Sequence, residues 1–101
     1  MQELLALQSD FPGRLRNIPD IPHAIYLLGR LPEEEEVTVG IIGARDGTGY
    51  GKAIARRLAG ELSQYGIGIV SGMAYGIDTA AHEGALSAGG KTYAVLGSGA
   101  D

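Results

Sequence analysis

A glycine-rich stretch between residues 39 and 51 carries the residues best suited to bind an anion. An apolar run ends at Gly43, and the loop that follows holds one cation, Arg45, before a helical pattern begins. Backbone N–H groups in such a loop and at a helix start can bind phosphate without any particular side chain. Arg45 can reach a phosphate or stack on a base, with a salt bridge to Asp46 or Asp78 as the alternative. The stretch predicts a phosphate-binding loop.

A second polar group, Ser71, Asp78 and His82, surrounds another glycine turn. Asp78 and His82 are four residues apart on one helix face, so they could form an acid/base pair with Ser71 as a nucleophile. The structural alternative, which we favour, is that Asp78 caps the helix and His82 makes a hydrogen bond behind the turn. The chain has no cysteine, and His23 has no acidic neighbour, so neither a metal nor a cofactor is predicted.

Three further side chains lie near these turns. Lys52 could extend a basic lip beside Arg45, although a lysine at this position more often belongs to a solvated helix face. Tyr50 and Tyr75 could stack on bases, although a tyrosine at the start of an amphipathic helix more often lies at the edge of a core.

The elements that must position these residues repeat along the second half of the chain. Apolar, β-branched runs predict buried strands, and each is followed by a glycine turn and then a helical pattern. Right-handed crossovers would bring the glycine turns to the carboxyl edge of one parallel sheet. Thr48 is the expected N-cap of the first helix and Gly66 its C′ residue. The predicted strands cover 37–42, 67–70 and 93–96, the last ending at Gly97-Ser98-Gly99, and the predicted helices cover 50–65 and 78–88.

The first third of the chain is less regular. Residues 1–8 could form a short helix or be the remnant of an upstream element, and residues 10–22 form an irregular segment between prolines. A strand is expected at 24–28, and the acidic run Glu33–Glu36 is interpreted as a solvated loop. We expect residues 1–9 to be a lead segment and residues 10–101 to be part of one domain.

Composition limits the classes of function. A hydrophobic fraction of 45% excludes a disordered chain, and a net charge of −4 argues against a surface that binds DNA through a broad basic field. Any nucleic-acid site must therefore be local. The sequence has no signal peptide pattern and no apolar run of the roughly 18 residues that span a bilayer, so we expect a cytoplasmic protein without membrane contact.

The commonest phosphate-binding patterns fail here. The dinucleotide pattern Gly-x-Gly-x-x-Gly starting at Gly47 would need glycine in place of Lys52. The triphosphate loop Gly-x4-Gly-Lys-Ser/Thr would need a hydroxyl residue at Ala53 and a glycine at Asp46. Neither a nicotinamide cofactor nor ATP hydrolysis is supported.

The motifs in chain order resemble one family. The segments are 11–22 with Phe11-Pro12, Ile41-Ile42-Gly43-Ala44-Arg45 with Thr48 and Tyr50-Gly51, the long run 70–86 (VSGMAYGIDTAAHEGAL), and 92–99 (TYAVLGSG). Together they look like the DNA processing protein A family, DprA or Smf, over roughly residues 10 to 101. The run 70–86 is the most specific of them.

The resemblance implies a Rossmann-like three-layer αβα fold with a mainly parallel sheet, truncated here after the third parallel strand. It implies a protein that is not an enzyme, that binds single-stranded DNA, protects incoming DNA in natural transformation and helps to load the RecA recombinase. The family's glycine-Ser/Thr-arginine loop maps onto Gly43, Ala44 and Arg45. The expected single-stranded DNA and phosphate site comprises Gly43, Ala44, Arg45, Gly47, Thr48, Lys52, Ser71, Gly72, Gly97 and Ser98, with Asp78 and His82 as a structural helix-start pair.

The sequence also departs from the family pattern. Ala44 lacks the hydroxyl donor, and Tyr75 stands where many members have arginine. The family's N-terminal helical domain and its second sheet half, with further basic contacts, the dimerisation surface and the RecA-facing surface, are not in these residues. The resemblance therefore implies weak DNA binding and weak or absent homodimerisation for this chain. The alternative is a nucleotide-binding or nucleotide-processing enzyme related to the cytokinin-activating phosphoribohydrolases, whose glutamate-bearing glycine motif does not occur here.

Overall fold

The chain folds into two compact units, with the boundary between Glu35 and Glu36. The computed structural model describes residues 2–5, 11–43, 47–72 and 76–96. In this part of the chain, the helices are too short or too polar to cross a membrane.

The first unit contains a two-stranded antiparallel sheet. Strand β1 (Gln2–Leu5) pairs with β2 (Ala24–Leu27), and a short 3-10 helix (Gly13–Asn17) lies between them in sequence. Glu3 lies directly opposite Tyr26, and a hydrogen bond from the tyrosine hydroxyl to this carboxylate raises the pKa of Tyr26 above its ordinary value of 10.0. The sequence left residues 1–8 open, and residues 2–5 form a strand because they pair with β2.

The second unit has the repeated α/β pattern that the sequence predicts. Its elements are β3 (Thr38–Gly40), α1 (Gly49–Gln64), β4 (Gly68–Ser71), α2 (Ile77–Ser87) and β5 (Thr92–Ala94). The strands are parallel in the order β3-β4-β5. Helices α1 and α2 contact each other and β4, so they form one helical layer of the αβα arrangement. The α/β fold class is confirmed.

Small residues form the core between the helices and the central strand. Ile69 of β4 is fully buried against Ala59 of α1 and Ala81 and Ala85 of α2. A Cβ atom added at Gly84 would lie 2.1 Å from the Arg56 carbonyl oxygen, which shows how closely the two helices approach. The position of closest approach therefore admits only glycine, and alanines make the contact around it.

Two expectations about burial are wrong. The helical spacing of the apolar residues in 50–65 predicts that Tyr50, Leu58 and Tyr65 share the buried face of α1. These side chains are exposed, because the contact with α2 and β4 uses the smaller residues Ala55, Ala59 and Ser63. The strand predicted at 37–42 was expected to be buried on both faces. It is shorter, and Val37 and Ile42 are exposed, because β3 is an edge strand of the described sheet while β4 is its central strand.

The acidic run 33–36 is also more than a solvated loop. The Glu34 carboxylate accepts a hydrogen bond from the Gly13 N–H at 2.9 Å, and Arg14 donates to the carbonyl oxygens of Glu33 and Glu34. The Glu36 side chain is only 9% exposed and lies 3.6 Å from Lys91 Nζ. The Tyr93 hydroxyl donates to the Glu36 carboxylate at 2.6 Å, so this acidic residue connects the start of the second unit to β5.

Candidate functional site

The carboxyl ends of the three parallel strands meet at one edge of the sheet. The Ile41 N–H donates to the Val70 carbonyl oxygen at 3.0 Å, and the Val95 N–H donates to the Ser71 carbonyl oxygen at 2.9 Å. The glycine turns that begin at Gly43 and Gly72 therefore leave the sheet side by side, as the strand–turn–helix repeat predicts. In α/β proteins this edge is where ligands bind.

Both turns need glycine because α2 approaches them closely. A Cβ atom on Gly43 would lie 2.6 Å from Ile77 side-chain atoms, and one on Gly72 would lie 2.6 Å from Asp78 Oδ2. Neither glycine has a positive φ, so the requirement is space and not backbone conformation. The first turn of α2 therefore determines the shape of this edge.

Asp78 links the first turn of α2 to the turn after β3. Its side chain is only 7% exposed, and its Oδ1 atom accepts a hydrogen bond from the Gly43 N–H at 3.2 Å. The prediction that Asp78 caps the helix is wrong, since the N-cap is Gly76 and no side chain caps this end. Gly76 has a φ of 91°, a conformation that glycine adopts readily, and the chain enters α2 there without a polar cap.

The Ser71 side chain connects the carboxyl ends of β3 and β4. It is 2% exposed, and its hydroxyl donates to the Ile41 carbonyl oxygen at 2.5 Å. A nucleophilic serine needs a base that accepts its proton, whereas this proton lies on a bond to β3. The geometry therefore contradicts the reading of Ser71, Asp78 and His82 as a catalytic relay.

His82 makes the predicted hydrogen bond to the glycine turn. Nε2 lies 2.6 Å from the Gly72 carbonyl oxygen, and Nδ1 lies 2.5 Å from Thr92 Oγ1. Because a carbonyl oxygen only accepts, Nε2 must carry the proton in this contact. The Thr92 Oγ1 atom also lies 3.1 Å from the Ile69 carbonyl oxygen. Thr92 was not singled out from the sequence, since a threonine at the start of a strand carries no distinguishing signal.

The start of α1 offers N–H donors without a hydrogen-bond partner among the described residues. Thr48 is the N-cap, as predicted, and its side chain accepts a hydrogen bond from the Gly51 N–H at 3.0 Å. The first residues of a helix have N–H groups without an intrahelical partner, and here these residues are Gly49 and Tyr50, both exposed. The Tyr50 side chain is 79% exposed, and Lys52 lies in the same helical turn. The N–H groups at this end of α1 can therefore bind an anion while the Tyr50 ring stacks on an aromatic ring of the same ligand.

Of the remaining residues predicted to contact DNA or phosphate, only some lie in the part of the chain that the structure describes. Gly47 is half-buried just before Thr48. The predictions for Ala44, Arg45, Tyr75, Gly97 and Ser98, together with the alternative salt bridge of Arg45, lie outside the described residues. Among the residues that the structure describes, no three histidine, aspartate or glutamate side chains are grouped as a metal site requires.

Comparison with known proteins gives a consistent result. A family model described as DNA recombination-mediator protein A matches residues 2–101. Protein Smf of Synechocystis sp. is 43% identical over 96 residues, which are 91% of this chain and 24% of that protein. The X-ray structure of DNA processing protein A from Streptococcus pneumoniae is similar with a TM-score of 0.87 and 36% identity, covering 97% of this chain and 34% of that one.

A second structural likeness is more distant. The molybdenum cofactor carrier protein from Chlamydomonas reinhardtii is 26% identical with a TM-score of 0.56, over 61% of this chain and 41% of that one. A likeness of this kind does not by itself identify a ligand of this chain. The chain spans between 23% and 33% of the length of the curated relatives that it matches.

Proposed function

Because the chain belongs to the DNA recombination-mediator protein A (DprA/Smf) family, we propose that it binds single-stranded DNA at the carboxyl edge of its parallel sheet. One observation carries the proposal. The open N–H groups at the start of α1, the exposed Tyr50 ring and Lys52 all lie within one helical turn of Thr48. Phosphate donors beside an exposed aromatic ring suit a strand whose bases are unpaired.

The hydrogen bonds of the edge decide which groups contact the phosphate. The Gly43 N–H is occupied by Asp78, so the donors proposed for phosphate are the Gly49 and Tyr50 amides, with Lys52 and Arg45 as the cations. The positive end of the α1 dipole adds to their attraction. The Ser71 hydroxyl is not proposed to contact phosphate, because it donates to the Ile41 carbonyl oxygen. Ser71 contributes by connecting β4 to the end of β3 at this edge. Ala44, Gly47, Gly72, Gly97 and Ser98 complete the proposed site.

The wider role follows the family. The proposed activity is binding of DNA without catalysis, in DNA processing during natural transformation, with RecA as the protein partner and a homodimer as the assembled form. For this role on DNA together with RecA, the proposed location is the cytoplasm. Since the match covers 24% of the length of protein Smf, we expect this chain to bind DNA weakly.

The direct test is fluorescence anisotropy with a labelled oligothymidylate at low and moderate salt. We expect weak, saturable binding that falls as salt rises and falls further in Arg45→Ala. Arg57→Ala is the matched control, because Arg57 pairs with Glu61 on the exposed face of α1. Binding that is tight and survives Arg45→Ala would disprove the assigned site.

The family match favours this function over the phosphoribohydrolase alternative. Incubation with AMP separates the two classes: release of adenine would support the enzyme, whereas oligonucleotide binding without adenine release supports the DNA module. Both measurements use the same sample. An inactive preparation is therefore recognised because it shows neither adenine release nor oligonucleotide binding.

A further inference from the structure

Two side chains of α2 hold the turns after two different strands. We propose that Asp78 and His82 are positioning residues that fix the peptide groups of the Gly43 and Gly72 turns, and thereby set the geometry of the single-stranded DNA site. The inference rests on the function proposed above, because it assigns these residues a role in that site. Neither residue is expected to contact DNA, since both side chains are engaged within the protein.

Asp78 acts on both turns. Its Oδ1 atom accepts the Gly43 N–H, which fixes the peptide plane between Ile42 and Gly43. Its Oδ2 atom lies on the side of Gly72, where a Cβ atom would come within 2.6 Å of it. The carboxylate is therefore close to both Gly43 and Gly72, and a shift of Gly43 would leave a buried polar group without its donor.

His82 fixes the second turn from one helical turn further along α2. The Nε2–H group donates to the Gly72 carbonyl oxygen, while Nδ1 contacts Thr92 Oγ1. The ring is therefore held at both nitrogens, between the turn after β4 and the start of β5. Residues four apart lie on the same helix face, so Asp78 and His82 form one rigid connection from α2 to both turns.

These hydrogen bonds are not what places α2 on the sheet. The helix is held by the apolar contact of Ala81 and Ala85 with Ile69 and Ala59. Gly43 itself is exposed, so its bond to Asp78 orders a peptide group at the surface. Removing the two polar connections should therefore change the geometry of the turns more than the packing of the core.

The geometry matters because the proposed ligand contacts follow these turns in sequence. Gly43 lies two residues before Arg45 and five residues before the Thr48 cap of α1. Phosphate recognition by amides and a guanidinium depends on direction as well as charge. Without its acceptor the peptide group before Gly43 is no longer held at this edge, and we expect the affinity for DNA to fall.

Conservative variants separate positioning from folding. Gln at position 82 can place an amide N–H near the position of Nε2, whereas Asn reaches only the position of Nδ1. We expect His82→Asn to weaken oligothymidylate binding about fivefold, the size of one lost hydrogen bond, and His82→Gln to restore part of the loss.

The Asp78 variants make a second comparison. Asp78→Asn keeps an acceptor for the Gly43 N–H, whereas Asp78→Ala removes it and should bind oligothymidylate less tightly than Asp78→Asn. Ser87→Ala, on the exposed last turn of α2, is the control.

A second measurement needs no DNA. Amide hydrogen exchange followed by NMR should show the Gly43 N–H protected in the 101-residue chain, protected in Asp78→Asn and fast in Asp78→Ala. Rapid exchange of this amide in the unmodified chain would overturn the inference. So would equal DNA affinity in His82→Asn, His82→Gln and the unmodified chain.

The two readouts distinguish the two hypotheses. If the unmodified chain fails to bind oligothymidylate while the Gly43 amide shows the expected pattern, the proposed function fails for this chain and the positioning of the turns stands. If the chain binds DNA and the variants are indistinguishable from it, the proposed function stands and the positioning role is wrong. Thermal unfolding of each variant shows whether a loss of affinity reflects loss of the fold.

Discussion

Tyr50 and Tyr65 lie at opposite ends of α1 and are almost equally exposed, at 79% and 83%. Only Tyr50 is beside the proposed phosphate donors. Base stacking on an aromatic side chain contributes about 1–3 kcal/mol per base, so we expect Tyr50→Ala to weaken oligothymidylate binding by about 1 kcal/mol or more. Tyr65→Ala is the matched control and should leave affinity unchanged. Equal effects of the two changes, measured by anisotropy, would contradict a stacking role.

A second residue-scale prediction concerns pH. The hydrogen bond to Glu3, followed by the negative charge of that carboxylate, raises the pKa of Tyr26 above 10.0. A pKa that is higher in the folded state stabilises the fold fully below the unfolded value near 10, and the contribution is lost as pH rises through the folded pKa. NMR titration of the Tyr26 ring should show this raised value. In Glu3→Gln the charge is gone, and the titration of Tyr26 should move down toward 10.0; an unchanged titration would rule out Glu3 as the cause.

At the scale of elements, the contact between α1 and α2 depends on two glycines that differ in the space around them. A Cβ atom at Gly84 would lie 2.1 Å from the Arg56 carbonyl oxygen, whereas one at Gly60 would lie 3.5 Å from the Gly84 carbonyl oxygen. Gly84→Ala must push the helices apart, and we expect a loss of about 1–3 kcal/mol in the free energy of unfolding.

Gly60→Ala is the matched control for this prediction. Its added methyl group makes ordinary contact, and alanine is favoured over glycine inside a helix by about 1 kcal/mol. We therefore expect Gly60→Ala to be neutral or stabilising in urea unfolding. A Gly84→Ala variant as stable as Gly60→Ala would mean that the helices are not held at the observed distance.

For the whole molecule, the net charge of −4 restricts DNA binding to a few local contacts. If Arg45 and Lys52 are the two phosphate-binding cations, the logarithm of affinity should fall with the logarithm of salt with a slope of about −1.4, from roughly −0.7 per contact on single strands. Lys52→Ala should reduce the slope by about one half. A slope several times steeper in anisotropy titrations would show that other basic residues, such as Arg56 and Arg57, also face the DNA.

Much of the fold follows from local sequence. The strand–glycine–helix repeat, the Thr48 cap and the positive φ of Gly66 are all present, because periodicity, capping and glycine conformation act over a few residues. The sequence also identifies the family, because the run 70–86 and its neighbouring motifs are continuous or nearly continuous segments that can be recognised without the fold. The sequence therefore determines the α/β class, the element order and the edge where the glycine turns meet.

The tertiary structure decides what the residues at that edge do. Asp78 was expected to cap its own helix, but it binds an amide 35 residues away in sequence, and Glu36 was expected in solvent but binds Tyr93, 57 residues away. The role of each glycine at the edge likewise depends on how near α2 comes. These choices rest on distances between elements that are remote in sequence, and no local preference encodes those distances, because they result from the packing of small side chains across the whole helical layer.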